Sequence, residues 1–451
     1  EDVDSLRFAL SLKDYNLNLY QPHFPGYFVF SMLGQLFYLF TGSLAFSFSL
    51  IGALSVFIIV FCTNKIADLS RINVHHGVLC ALLFFCPLIW LMSNRYMADL
   101  LGLAFLLVSF KIFLKAFEKG DGRWLWGYYL ALGLLAGIRL SYVPFLLIPS
   151  LVLCFKYYTK LVEQILASIV GVGIWLVPMI IDTGWQNLIE LGSNGTDGHF
   201  NEWGGTIGTD PNYSLRFIRM FQYIWADGLG NFWPDRHPIT LLSTLGFGTA
   251  LFVALLKSKP SKELAAKLKS REAILMYSLL TYAIWAFLFQ NVLYKSRHIL
   301  PFLPFILIWA AKGFKELVIW NKKLAYGLIG IFFVSYIFTT GVLVSQHRSP
   351  TAISQAKDFI LEKQSQADIG LVGVPLVNFF INRQLEGKIK YFSEEGDLIE
   401  VKNILEQGYK VYSFSQIDIE MGRPYQKVYT FFHNPYVNRM WSEVKVYEYE
   451  Q

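Results

Sequence analysis

Charged residues and cysteines are both scarce in this chain of 451 residues: Asp, Glu, Lys and Arg make up 16%, and there are four cysteines. Soluble domains carry charge on about a quarter of their residues, so a surface wet on every side is excluded. Cys62, Cys80, Cys86 and Cys154 each sit inside an apolar run. They show neither metal-ligand spacing nor a disulfide framework and read as small buried hydrophobes. The net charge of +6 is modest, and nothing in it calls for a nucleic-acid partner. What is abundant is apolar: 54% of residues are hydrophobic, mean hydropathy is +0.41, and there are 12 Trp and 25 Tyr. Trp and Tyr in such numbers suit membrane interfaces.

Apolar segments predict ten membrane spans, at about 44–62, 77–93, 97–117, 124–138, 142–157, 161–182, 239–257, 273–292, 299–313 and 324–345. Phe28 to Phe40 is apolar but short, contains Gln35 and ends at Thr41-Gly42-Ser43. A bilayer core asks for ~20 residues, so this segment is expected to be interfacial or re-entrant. Alternate loops are crowded with Lys and Arg, from Lys65 and Arg71 to Lys322 and Lys323. The others carry only Arg95, Arg139, Arg216, Arg219, Arg236, Lys295 and Arg297. The crowded set is therefore assigned to the cytoplasm, which puts both the opening loop and the tail outside.

The domain plan is a first external loop with interfacial helices (1–43), a transmembrane bundle (44–348) with a long external loop (183–238), and an external α/β domain (349–451). In that last part, segments near 369–374, 388–392, 409–414, 427–432 and 443–449 read as strands, with helices near 352–364 and 398–407. It holds no phosphate loop, metal set or nucleophile triad, and His433 to Tyr436 reads as a turn. The long loop mixes aromatics with polar residues, including His199, Trp203 and Trp233, and can form a helix over Leu215 to Trp225. Sugar rings stack on aromatic faces while their hydroxyls seek polar partners, so these residues are candidates for substrate contact. A lid over some other cavity has the same composition.

The opening stretch, Glu1 to Tyr27, is wet although apolar helices follow it. Val3, Leu6 and Leu10 fall at helical spacing on one face, with Asp4, Arg7 and Ser11 on another. This predicts a short helix lying in the membrane surface with its acid turned to water. Pro22, Pro25 and Gly26 then stiffen the segment carrying His23 and Tyr27. Asp4-Ser5-Leu6-Arg7-Phe8-Ala9 followed by this Pro-rich segment resembles the first external loop of GT-C glycosyltransferases. These polytopic enzymes use polyprenyl-phosphate sugars and include the protein O-mannosyltransferases (glycosyltransferase family 39-like) and the aminoarabinose transferases of lipid A. Relatives carry Asp-Glu-x-x-Tyr-Ala; on that pattern the catalytic aspartate falls on Asp4, Ser5 replaces Glu and Phe8 replaces Tyr. Glu1 and Asp2, one helical turn away, are alternative carboxylates.

The resemblance implies a polytopic α-helical membrane protein, a GT-C type bundle with a small C-terminal external α/β domain. It also implies a bacterial inner (plasma) membrane protein whose sugar transfer, with inversion, takes place on the outer face. A further membrane helix is expected ahead of Glu1. The donor is a polyprenyl-phosphate sugar and the acceptor a lipid, polysaccharide or protein, within a setting of membrane lipids. Asp4 is the expected general base, because a partly desolvated carboxylate can take the proton of an attacking hydroxyl or amine. An acid at a helix N-terminus is also favoured by ~0.3–1 kcal/mol, so capping is the rival explanation. Arg297, Arg139, Lys295, His298 and Arg95 are candidates for the donor phosphate, Arg for its planar fork. Flanking charges that anchor helix ends look the same in sequence. Asp99 is expected to pair with Arg95 at i,i+4. His23 and Tyr27 are candidate substrate-loop residues. No cofactor is required; Glu1, Asp2 and Asp4 form a candidate Mg or Mn set. A transporter or flippase of a lipid-linked or sugar substrate is the alternative, and a structural assembly protein a third.

Overall fold

The computed structural model describes residues 3–258, 270–374, 377–378, 381, 389–393 and 397–450, of which the side chains of 419 and 420 are left aside. Two compact units divide the chain, one of Asp4–Val344 and one of Glu1–Val3 with Ser345–Gln451. Among its described residues the first is built of helices joined by turns. Among the described residues six helical stretches are long and apolar enough to cross a membrane, or seven when the pair His76–Phe84 and Pro87–Ser93 counts as one span bent by 54°. The bend falls where Pro87 enters the second helix, a residue that cannot continue the hydrogen-bond ladder behind it. Phe28–Thr41 and Thr240–Leu256 are apolar but shorter.

The stretch Gly122–Lys156 is one apolar run by length, yet its hydrogen bonds show the chain folding back on itself. The Tyr128 hydroxyl donates to the Leu146 carbonyl at 3.1 Å, Tyr129 to that of Ser150 at 3.0 Å, and Lys156 Nζ to that of Phe117 at 2.6 Å. The reversal falls at Arg139, where the Gly122–Arg139 helix ends and a 3-10 segment, Leu140–Leu146, begins. A second 3-10 segment, Ser296–Phe302, precedes the Leu303–Trp320 helix. Each contains a proline, Pro144 and Pro301, which lacks the N–H an α-helix needs.

With little hydrophobic drive between helices in lipid, close backbone approach carries the packing. Gly133 and Gly171 meet in this way. A Cβ on Gly171 would stand 2.5 Å from the Leu130 carbonyl oxygen, and one on Gly133 2.8 Å from the Gly171 Cα. At the end of the bundle opposite Asp4, Arg271 bonds the Leu69 carbonyl (2.6 Å) and Glu118 (3.0 Å). Lys315 reaches the Val74 carbonyl there at 3.3 Å.

The smaller unit carries a five-stranded sheet in the order β2-β1-β3-β5-β4. Its strands are β1 (Ile369–Val372), β2 (Ile389–Phe392), β3 (Lys410–Ser413), β4 (Lys427–Phe432) and β5 (Glu443–Tyr449). β1 pairs in parallel with β2 and β3, and β5 runs antiparallel between β3 and β4. Helices Ala352–Gln366 and Leu398–Glu406 contribute to separate apolar cores, with Ile360 in one and Val401 in the other.

Candidate active site

The helix Val3–Ser11 forms as its spacing predicts, but its buried residues are Ser5, Phe8, Ala9 and Ser11, which the spacing puts on the wet face, with Leu12 just beyond. Val3, Leu6 and Leu10 are only half-buried. Phe8 is wholly buried, with ring centroids 5.7 Å from His23, 5.0 Å from Tyr27 and 5.2 Å from Phe30. The expectation that the acid faces water is therefore corrected. Asp4, with a side chain 13% exposed, turns to Arg297 Nη2 at 2.6 Å and Lys295 Nζ at 3.2 Å. Two cations inside hydrogen-bond reach outweigh the hydration that an exposed carboxylate would keep.

Arg297 continues the chain of charge: its Nε lies 3.9 Å from Asp99 Oδ1, which is also 2.9 Å from Arg139 Nη2. Asp99 is fully buried at the first turn of the Asp99–Lys119 helix, where the helix dipole favours an anion. Arg139 approaches it off the N–H direction, so neither Asp99 oxygen accepts a well-directed hydrogen bond among the described residues. Charge is what holds this pair. Arg139 Nη1 donates to the Tyr27 hydroxyl at 2.9 Å. Tyr27 takes a left-handed backbone (φ 41°) at the start of Phe28–Thr41, an uncommon conformation for a bulky residue.

The expected Arg95–Asp99 pair does not form. The Pro87–Ser93 helix stops before Arg95 and the next begins at Asp99, so helical i,i+4 spacing does not apply. Arg95 is half-buried in the turn between them.

Burial opposes ionisation of Asp4, yet the charges of His23 when protonated, Lys295 and Arg297 outweigh it and hold the carboxyl well below its ordinary range. His23 Nδ1 lies 3.7 Å from Asp4. Burial pushes this imidazole down to about 4; Asp4 attracts the proton, while Arg7, Lys295 and Arg139 repel it. His23 is accordingly neutral near pH 7, and no ion pair joins it to Asp4 there.

Of the remaining sequence candidates, His298 is buried, and its carbonyl accepts from the Tyr282 hydroxyl at 2.9 Å. His199 places Nε2 2.8 Å from the Phe289 carbonyl oxygen. Burial lowers its pKa, with Lys295 and Arg139 adding to the effect. Trp203 is 64% exposed, and Trp233 packs on Phe221 at 6.0 Å. Neither Trp makes a hydrogen bond or ring contact with the Asp4 cluster among the described residues. Glu1 and Asp2 lie outside the described residues, so the candidate metal set is not described beyond Asp4. Among the described residues no group of three His, Cys, Asp or Glu side chains is placed to hold a metal ion.

An apolar groove of about 580 Å³ is lined by Leu132, Val143, Pro144, Leu147, Ile284, Trp285 and neighbours. Val143 follows Tyr142, whose ring lies 5.9 Å from the Arg139 guanidinium.

Sequence reasoning missed two residues. One is Asp99 as the shared partner of Arg139 and Arg297; the signal was an acid opening an otherwise apolar helix. The other is Arg216, wholly buried inside the long loop. Its signal was its place within an amphipathic helix.

The helical bundle with its small mixed sheet is a GT-C type membrane fold, and the chain is an integral membrane protein. The chain is similar to the crystal structure of ArnT from Cupriavidus metallidurans bound to undecaprenyl phosphate. The TM-score is 0.52 and the identity 13%, over 99% of this chain and 93% of that one. It also matches the apo state of ArnT (TM-score 0.39, 12% identity, 99% and 93% covered). A third match is the Archaeoglobus fulgidus oligosaccharyltransferase in complex with Zn and sulfate (TM-score 0.42, 10% identity, 93% and 64% covered). The assignment of the fold rests on the first. No family model and no curated protein matches the chain.

Proposed function

We propose that the chain is a membrane glycosyltransferase that moves a sugar from a polyprenyl-phosphate donor to an acceptor on the external face. The observation that carries this reading is a largely buried carboxylate held among Lys295, Arg297 and, through Asp99, Arg139, in a unit that also holds an apolar groove. A lipid phosphate needs such a pairing of cations with an apolar channel. The similarity to the fold of a protein crystallised with undecaprenyl phosphate supports the same choice.

In this reading Arg297, Lys295 and Arg139 bind the donor phosphate, and the prenyl chain lies in the groove. As those cations turn to the phosphate, Asp4 is freed to accept a proton. The acceptor oxygen or nitrogen attacks the anomeric carbon, and its proton passes to Asp4. The bond from that carbon to the phosphate oxygen breaks, and polyprenyl phosphate leaves with the electron pair. Attack from the side opposite the leaving group inverts the anomeric centre. Ten passes through the membrane, with the cluster and the C-terminal domain external, complete the proposal. They are consistent with the fold-back at Arg139 and with Arg271 and Lys315 at the far end of the bundle.

The test is incubation of purified protein with labelled polyprenyl-phosphate sugars and membrane extract as acceptor source. Acceptor-dependent release of free polyprenyl phosphate is expected. Passage of intact lipid-sugar across a vesicle without release would favour a flippase instead.

A further inference from the structure

A buried arginine fastens the long loop to the segment that carries Lys295. Arg216 sits on the Tyr213–Gln222 helix and is wholly inaccessible, while Phe217 beside it is 67% exposed. Its guanidinium donates Nε and Nη2 to the Phe287 carbonyl (2.8 and 2.6 Å). Nη2 also reaches the Gln290 carbonyl (2.8 Å), and Nη1 that of Gly205 (2.7 Å). No carboxylate among the described residues stands within ion-pair distance of it. Phe287 lies in the last turn of the Arg271–Phe289 helix, where carbonyls lack intrahelical donors and the helix dipole is negative.

Further bonds join the same two segments. Ile207 N donates to the Leu288 carbonyl at 2.9 Å, and the Tyr223 hydroxyl donates to that of Leu293. Gly205, at φ +62°, lets Asn291 approach so closely that a Cβ there would stand 2.6 Å from Asn291 Cγ. Asn291 then accepts from Tyr294 N through Oδ1 (3.1 Å) and from Lys295 N through its carbonyl (3.2 Å). An unbroken series of contacts thus runs from Arg216 to Lys295, and Arg297 follows two residues later.

We infer that Arg216 is a positioning residue for the donor phosphate, holding the end of the Arg271–Phe289 helix so that Lys295 and Arg297 converge on one point. The inference rests on the proposed donor-binding role of those two cations. Burying a guanidinium against carbonyls alone is a poor way to gain stability, since well-packed apolar residues often do as well. What the planar, multiply donating fork adds is fixed geometry.

The test is a double-mutant cycle on the full chain in nanodiscs, with undecaprenyl phosphate as the probe, and thermal unfolding recorded for each variant. Arg216→Ala is expected to raise Kd roughly tenfold in the parent and far less in an Arg297→Ala background, as coupled residues do. Arg216→Lys, which can still reach a carbonyl, should recover part of the affinity and carries the test if the alanine variant does not fold. Folded Arg216 variants with unchanged Kd, or losses fully additive with Arg297→Ala, would overturn the positioning role. If Arg297→Ala by itself leaves Kd unchanged, the phosphate reading fails first and this inference falls with it.

Discussion

At the scale of single residues, the site is a row of largely buried charges whose signs alternate: Asp4, Arg297, Asp99, Arg139. Removing one member strands its neighbour. Asp99→Ala leaves Arg139 buried without its carboxylate, and loss of one partner of a buried pair costs about 3–5 kcal/mol. A thermal melt in detergent should show that loss, and Asp99→Ala with Arg139→Leu should regain much of it. An equal or larger loss in the double variant would mean that the pair does not act as a unit. His23 sets a pH dependence. Its folded pKa, about 4, lies below the ordinary value of 6.5, so between those two values the unfolded chain binds more protons. Stability therefore rises with pH across that window and declines as pH falls through it. Asp4, also held below its ordinary value, adds a further loss under more acidic conditions. His23→Gln should flatten the melting-temperature profile between pH 4 and 6.5, and an unaltered slope would remove His23 as its source.

At the scale of elements, hydropathy made the helices legible and concealed their ends. Alternating apolar residues announced all five strands of the sheet within about two residues, the usual uncertainty of an element boundary. The hairpin at Arg139 was legible too, because Gly137 and Arg139 interrupt the apolar run. The orientation of the first helix was not. Its spacing fits two faces, and the face carrying Phe8 won because His23, Tyr27 and Phe30 surround that ring. The long loop hid a second helix, Trp185–Asp197, whose glycines and asparagine read as turn residues. Gly192 and Gly195 lie against the Phe24 ring there, a contact between distant segments that periodicity does not reveal. Helix contact through small residues gives a direct prediction. Gly171→Leu would drive a side chain into the Leu130 carbonyl, and helices in lipid have few other means of association. The yield of folded monomer by size exclusion should drop sharply. Normal yield would show that the crossing tolerates separation.

At the scale of the whole molecule, the site gathers residues from opposite ends of the membrane unit. Asp4 opens it, Asp99 and Arg139 lie in its first half, and Lys295 and Arg297 in its second. Sequence could propose the cations because they are rare in the sparsely charged loops. It could not propose Asp99 as their common partner, since that depends on how three helix ends converge. Ten passes predict that Asp14 and Lys322 lie on opposite sides. In a variant lacking the four native cysteines, single cysteines at those positions should label from opposite faces of sealed vesicles, and labelling from one side would remove a span. The most direct measurement compares Asp4→Asn with the parent in turnover of a labelled polyprenyl-phosphate sugar, with donor affinity recorded alongside. Asn is nearly the same shape and still caps a helix, whereas loss of a general base costs ~10²–10⁴-fold. Catalysis by Asp4 predicts turnover reduced to that degree with donor affinity kept or improved. Turnover within a few-fold of the parent would contradict it.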